Sequence, residues 1–106
     1  MVKCNDSLEW DPLKARANAH KHGVSFDIAV HAFDDLEALV DHDRIEGGEH
    51  RWQTLGMVGN TLLLLVAHTV ELEDDDGEII RIISARRANR KEKARYEKAR
   101  QASRER

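Results

Sequence analysis

Four isoleucines fall within five positions of one stretch, Ile79-Ile80-Arg81-Ile82-Ile83, which runs on into Ser84-Ala85-Arg86-Arg87. β-Branched side chains at this density favour a pleated strand packed on both faces, and so a strand in the middle of a sheet. Strict alternation sets Ile80, Ile82, Ser84 and Arg86 on one face and Ile79, Arg81, Ile83, Ala85 and Arg87 on the other. Two readings of the arginine pair stand. It is a solvated strand end leading into a basic segment, or a rigid strand aims two guanidinium groups at a phosphate.

The rest of the chain sets the frame for that strand. Its 106 residues, 41% of them apolar, are enough for one domain with a core of modest size. The single cysteine, Cys4, excludes an internal disulfide framework and cysteine-based zinc sites. Met1-Val2-Lys3-Cys4-Asn5-Asp6 is too polar for a signal peptide, and the apolar run 62–67 is too short to span a bilayer. The expectation is a soluble cytoplasmic protein with no membrane partner. The net charge of −3 hides an asymmetry: residues 86–106 carry +7 and residues 1–85 carry −10. A basic end on an acidic body suits a polyanion or an acidic partner, or else a solvated helix satisfied by its own Glu92 and Glu97.

Local signals predict an order of elements. Leu8-Glu9-Trp10 reads as a short strand. Asp11 and Pro12 are a helix N-cap and first turn, and the helix through Lys21 places Leu13, Ala17 and His20 on one side until Gly23 ends it. Ser25 caps a second helix reaching Phe33, which buries Phe26, Ile28, Ala29 and Phe33. A short strand at 38–40, a polar loop at 43–48 and a strand at 51–58 follow. Gly59-Asn60 is a hairpin connection, 61–70 a central strand and 73–77 a solvated turn. Residues 51–87 thus form a three-stranded antiparallel meander. Residues 88–106 form a basic terminal helix with little to dock but Ala88, Tyr96, Ala99 and Ala102, and its end is expected to fray beyond Glu97.

Six histidines invite a metal reading, but no H-E-x-x-H or C-x-x-C framework accompanies them, so no metal or other cofactor is expected. No phosphate loop or nucleophile elbow is present. What remains suits cleavage of RNA by its own 2′-hydroxyl. That reaction needs an acceptor for the hydroxyl proton, cations for the phosphorane and a donor for the leaving 5′ oxygen. Arg51, Arg81, Arg86 and Arg87 are candidate cations, and His68 and Glu49 candidate proton carriers. Trp10, Trp52 and Tyr96 could stack on unpaired bases. Each has a structural alternative: Trp10 and Trp52 as core side chains, His68 as a buried, hydrogen-bonded histidine.

Taken together, these residues resemble a known family. Leu8-Glu9-Trp10-Asp11-Pro12 with Lys14-Ala15, Asn18 and Lys21-His22-Gly23-Val24-Ser25-Phe26 looks like the N-terminal signature of the BrnT-type toxins. Arg51 with Gly56, the run from Ile80 to Ala88, and Glu92 with Arg95-Tyr96-Glu97 look like the rest, so the resemblance spans about Leu8 to Glu97. It implies a RelE-like α+β fold of order β-α-α-β-β-β-β-α, with an antiparallel sheet, two N-terminal helices and one C-terminal helix. It also implies a metal-independent endoribonuclease that inhibits translation and growth. The partner it implies is a BrnA-type antitoxin, which alone contacts operator DNA. The toxicity-linked positions carry over best onto Trp10, Lys21, Arg51, Arg86 and Arg87. The expected catalytic set is Arg51, His68, Arg86 and Arg87, and the expected substrate-binding set is Trp10, Lys21, Arg81 and Tyr96. The chain departs from the pattern at Asp35-Leu36, where the family often has proline, and at Val70-Glu71, where many members carry arginine. The alternative function is a non-catalytic nucleic-acid- or partner-binding module in transcriptional autoregulation.

Overall fold

The computed structural model describes residues 2–5, 8–72 and 77–104, and the isoleucine stretch is an inner strand of a six-stranded sheet. In chain order the elements are β1 (Val2–Asn5), β2 (Leu8–Trp10), α1 (Pro12–His22) and α2 (Phe26–Ala29). A 3₁₀ turn (Val30–Asp34) follows α2. Then come β3 (Leu39–Glu46), β4 (Glu49–Val58), β5 (Leu62–Leu72), β6 (Glu78–Arg87) and α3 (Arg90–Arg104). The strand order across the sheet is β1-β2-β6-β5-β4-β3, so the chain is α+β as expected.

Three details of the expected topology are corrected. β1 is an additional strand, antiparallel to β2. The sheet is mixed, because β2 runs parallel to β6. The helices carry the chain from β2 to the far edge at β3, and the meander returns strand by strand until β6 arrives beside β2 in the same direction. The three antiparallel strands expected over 51–87 are present, and β3, longer than the expected 38–40, extends them to a four-stranded meander. The expected polar loop at 43–48 is mostly strand, since β3 runs to Glu46 and β4 starts at Glu49. Gly47 and Gly48, at φ 60° and 82°, make the two-residue turn between them, a backbone shape open to glycine at little cost. Of the turn expected at 73–77, residues 73–76 lie outside the described residues.

α1 starts as its sequence dictates: the Asp11 carboxylate accepts from Leu13 N at 2.9 Å, and Gly23 closes the other end in the left-handed region. Its buried face is not the expected one. Leu13 is 69% exposed, and the side chain turned to the sheet is Asn18. Phe26 and Ala29 of α2 are buried as expected, while Ile28 faces outward. The 3₁₀ turn lies close against β4 at Gly56, where a Cβ would sit 2.3 Å from the carbonyl oxygen of Ala32. Any other residue there would push the turn off the sheet.

The sheet has a core on each side. On one, β2, β5 and β6 contribute Leu8, Leu64, Val66, Ile82 and Ala85 beneath α1 and α2. On the other, Leu55, Leu63 and Leu65 meet Ala88 and Tyr96 of α3. The asparagine–glutamate box at the start of α3 is reciprocal, with Glu92 N donating to Asn89 Oδ1 and Asn89 N to Glu92 Oε1, both at 2.8 Å. Polar contacts complete the docking of α3, Tyr96 to Asp35, Arg95 to Asp41 and Arg100 to Glu37.

Candidate functional site

A bulge in β6 decides which arginines share a face. Ala67 pairs with Ser84 but His68 pairs with Ile82, so Ile83 is an extra residue on the β6 side. One extra residue reverses the alternation beyond it. Arg86 therefore joins Arg81 on the α3 side, while Ala85 joins Ile80 and Ile82 under α1 and α2. The expected alternation, with Arg86 opposite to Arg81, is corrected accordingly. Arg87 falls on the α1 side and is exposed.

On the α3 side, beyond the helix, one row of residues crosses the sheet. Arg44 pairs with Arg51, Thr69 with Arg81, and Arg81 with Glu9. Trp52 pairs with His68, and one further step of that register sets Arg51 opposite Thr69. Arg51 and Arg81 thus stand two strands apart, about 10 Å between their backbones, with Thr69 between them.

A carboxylate bridges the two guanidiniums. Glu49 Oε1 lies 3.7 Å from Arg51 Nη2, and its Oε2 lies 3.8 Å from Arg81 Nη1. Arg81 also meets Glu9 at 3.4 Å and Glu71 at 3.5 Å, and Arg51 meets Glu46 at 4.0 Å. Arg51 Nε and Thr69 Oγ1 are buried and, among the described residues, have no hydrogen-bond partner. An anion held here would meet two planar cations and two unfilled donors, with a carboxylate beside it to take a proton.

The other expected site residues are dispersed. Arg86 forms a two-pronged pair with Glu92 at 2.8 and 2.9 Å, which raises the arginine pKa and lowers that of Glu92. That guanidinium ties β6 to the first turn of α3. Lys21, in the last turn of α1, and Arg87 are exposed, and among the described residues neither forms an ion pair.

Three expectations meet buried side chains. His68 is 2% exposed on the side of the sheet opposite to Arg51 and Arg81, with the Phe33 ring edge-on at 5.0 Å. Its Nε2 lies 2.8 Å from the Thr54 hydroxyl, and its Nδ1 donates to the Thr69 carbonyl at 3.4 Å. Burial pushes its pKa down to about 4. It is a neutral structural imidazole that does not reach the arginine row. Trp10 is buried with its ring edge-on to Phe26 at 6.1 Å. The Tyr96 ring is also buried, and its hydroxyl donates to Asp35. Its phenol pKa is raised by burial and by that carboxylate. Burial opposes ionisation of Asp35, but hydrogen bonds from Tyr96, Met57 N and Glu37 N outweigh it and keep the carboxyl below its usual range. Neither aromatic ring offers a free face for a base. Among the described residues, no three His, Cys, Asp or Glu side chains are grouped to hold a metal ion.

Sequence reasoning missed Thr69 and the bridging place of Glu49. Only the strand register reveals them, and the sequence carries no signal for a bulge at Ile83.

No curated protein matches the chain. The crystal structure of the Brucella abortus ribonuclease toxin BrnT, determined at 1.1 Å, is similar, with a TM-score of 0.61 and 25% sequence identity over 79% of this chain and 97% of that one. The family described as "Ribonuclease toxin, BrnT, of type II toxin-antitoxin system" matches residues 10–92. This chain belongs to the BrnT ribonuclease toxin family of type II toxin–antitoxin systems.

Proposed function

We propose that the protein is a RelE-like, metal-independent endoribonuclease whose cleavage of RNA arrests translation and growth, and that its site is the face carrying Arg51, Glu49 and Arg81. The observation that carries this reading is the Glu49 carboxylate held between two guanidiniums on a part of the sheet beyond α3. A scissile phosphate takes the same place between the arginines, since a phosphate oxygen and a carboxylate oxygen make the same bonds to a guanidinium.

Displaced toward the ribose, Glu49 accepts the 2′-hydroxyl proton. The 2′ oxygen attacks phosphorus, the bond to the 5′ oxygen breaks, and the leaving oxygen takes a proton from water. The products are a 2′,3′-cyclic phosphate and a 5′-hydroxyl end. Arg51 and Arg81 stabilise the charge that builds on the phosphorane. Lys21 and Arg87 lie on the α1 side of the sheet and Arg86 is paired with Glu92, so this reading gives the three no part in the chemical step.

The antitoxin is a BrnA-type protein that neutralises the toxin and alone contacts operator DNA. Type II family membership supports such a partner.

The test uses purified protein and single-stranded RNA in the presence of EDTA. Arg51→Ala and Arg81→Ala are expected to lower the cleavage rate by ~10²–10³ each, and Glu49→Gln by ~10²–10⁴. Cleavage that survives all three substitutions would place the chemistry elsewhere. RNA left intact by the wild-type protein would favour the non-catalytic binding module.

A further inference from the structure

Thr69 is the one residue of the arginine row with a neutral hydroxyl, and it stands at the centre. It is 2% exposed, it pairs with Arg81, and the register sets it opposite Arg51. Its Oγ1 has no hydrogen-bond partner among the described residues. A threonine hydroxyl buried without a partner is destabilising, because it loses its bonds to water and gains none. Nothing in the packing calls for it. Valine has the same shape and would fill the position without an orphaned donor. The neighbouring Arg51 Nε is buried and unfilled in the same way.

We propose that Thr69 is a phosphate ligand of this face: its hydroxyl donates to a non-bridging oxygen of an RNA phosphodiester held between Arg51 and Arg81. This rests on the reading of the face as an RNA site and adds a donor to it. In the free protein the place is closed by Glu49, whose two oxygens face one arginine each. When a phosphate displaces that carboxylate, it brings an acceptor over the floor of the row, where the carboxylate makes no bond to Thr69. The hydroxyl and Arg51 Nε then gain together the partners they lack. Binding energy held back in this way favours the phosphate over the protein's own carboxylate, which leaves both donors unfilled.

The experiment compares Thr69→Val and Thr69→Ser with the wild type. Binding is read by fluorescence anisotropy on a labelled single-stranded RNA with 2′-O-methyl groups, which cannot be cleaved, and stability is read by thermal unfolding. Thr69→Val is expected to melt higher than wild type, since an orphaned hydroxyl is gone, and to bind the RNA about tenfold more weakly, the loss of one hydrogen bond to a charged acceptor. Thr69→Ser is expected to bind like wild type despite some loss of stability. Wild-type affinity in Thr69→Val, or equally weak binding in Thr69→Ser, overturns the proposal. Arg51→Ala and Arg81→Ala separate the two levels of the argument. If they lose binding while Thr69→Val does not, the phosphate site stands without Thr69. If they too bind as wild type does, the RNA reading of the whole face fails.

Discussion

Asn18 and Ala85 are joined by two hydrogen bonds: the Asn18 side-chain oxygen accepts from Ala85 N at 3.0 Å, and its amide nitrogen donates to Ala85 O at 2.9 Å. β2 pairs with β6 only as far as Ile82, so among the described residues no strand lies beside the outer edge of β6 at Ala85. A side-chain amide from α1 takes the place of that strand. The same Asn18 nitrogen also donates to Val24 O at 3.0 Å, which fixes the chain as it leaves α1. Asn18→Leu leaves a buried N–H and two carbonyls unpaired and is expected to lower stability by about 2–4 kcal/mol. Asn18→Asp keeps the acceptor and loses the donor, and should fall in between. Urea denaturation of the two variants checks the order.

The Arg86–Glu92 pair should behave as a structural clamp. From the sequence, Arg86 belongs with Arg87 at a strand end, where its loss would affect activity more than folding. The bulge turns it instead to the start of α3, where it meets Glu92 at 2.8 and 2.9 Å. The pair is partly exposed, with side chains 38% and 19% accessible, so solvent screening limits its worth. Arg86→Ala is expected to cost about 1–2 kcal/mol. Glu92→Ala should cost as much or more, since it also opens the capping box, and the double variant should cost less than the two single effects added. Arg87→Ala should leave stability within about 0.5 kcal/mol of wild type. Additive losses in the double-mutant cycle would show that the pair contributes nothing.

Much of this architecture is legible in the sequence, and the parts that are not share a cause. The isoleucine run, the Asp11-Pro12 helix start, Gly23 and the Gly59-Asn60 connection are local signals, and each appears where its chemistry requires. Arg51 and Arg81 stand out as cations in the sequence, yet nothing there says that Glu49 joins them. That follows from register, which depends on a one-residue bulge among residues that all suit a strand equally well. The burial of Trp10, His68 and Tyr96 is illegible for a similar reason. An aromatic or imidazole ring on a strand or a helix suits a binding face or a core, and only the covering element decides. For His68 that element is the 3₁₀ turn with Phe33, held against β4 by the absence of a side chain at Gly56.

His68 makes the fold sensitive to mild acid. Burial lowers its pKa from 6.5 to about 4, so between these values the unfolded chain binds a proton that the folded chain refuses. Stability rises with pH wherever the unfolded state holds more protons. The contribution is therefore complete above pH 6.5 and is lost as pH falls toward 4. The full shift corresponds to about 3 kcal/mol. Chemical denaturation at intervals across this range should show the decline, and His68→Gln should flatten it. An unchanged slope in that variant would assign the effect to other groups.

Glu71 should restrain the proposed nuclease. Arg81 is surrounded by Glu9, Glu49 and Glu71, and Glu71 is the most exposed of the three, its side chain 51% accessible and 3.5 Å from Nη2. It lies where the resemblance to the family leads one to expect a basic residue. Its charge lowers the potential that an RNA phosphate meets on approach to Arg81, and it competes directly for the same guanidinium. Because the carboxylate is half in water, screening keeps the effect modest. Glu71→Gln is expected to raise RNA affinity and cleavage rate by about threefold to tenfold at low ionic strength. The gain should shrink in 0.5 M salt, and Glu71→Lys should exceed it. The fold should not suffer, since Arg81 keeps two carboxylate partners. A loss of activity in Glu71→Gln would instead give Glu71 a positive part in the reaction, and a gain that persists at high salt would show that charge is not the cause.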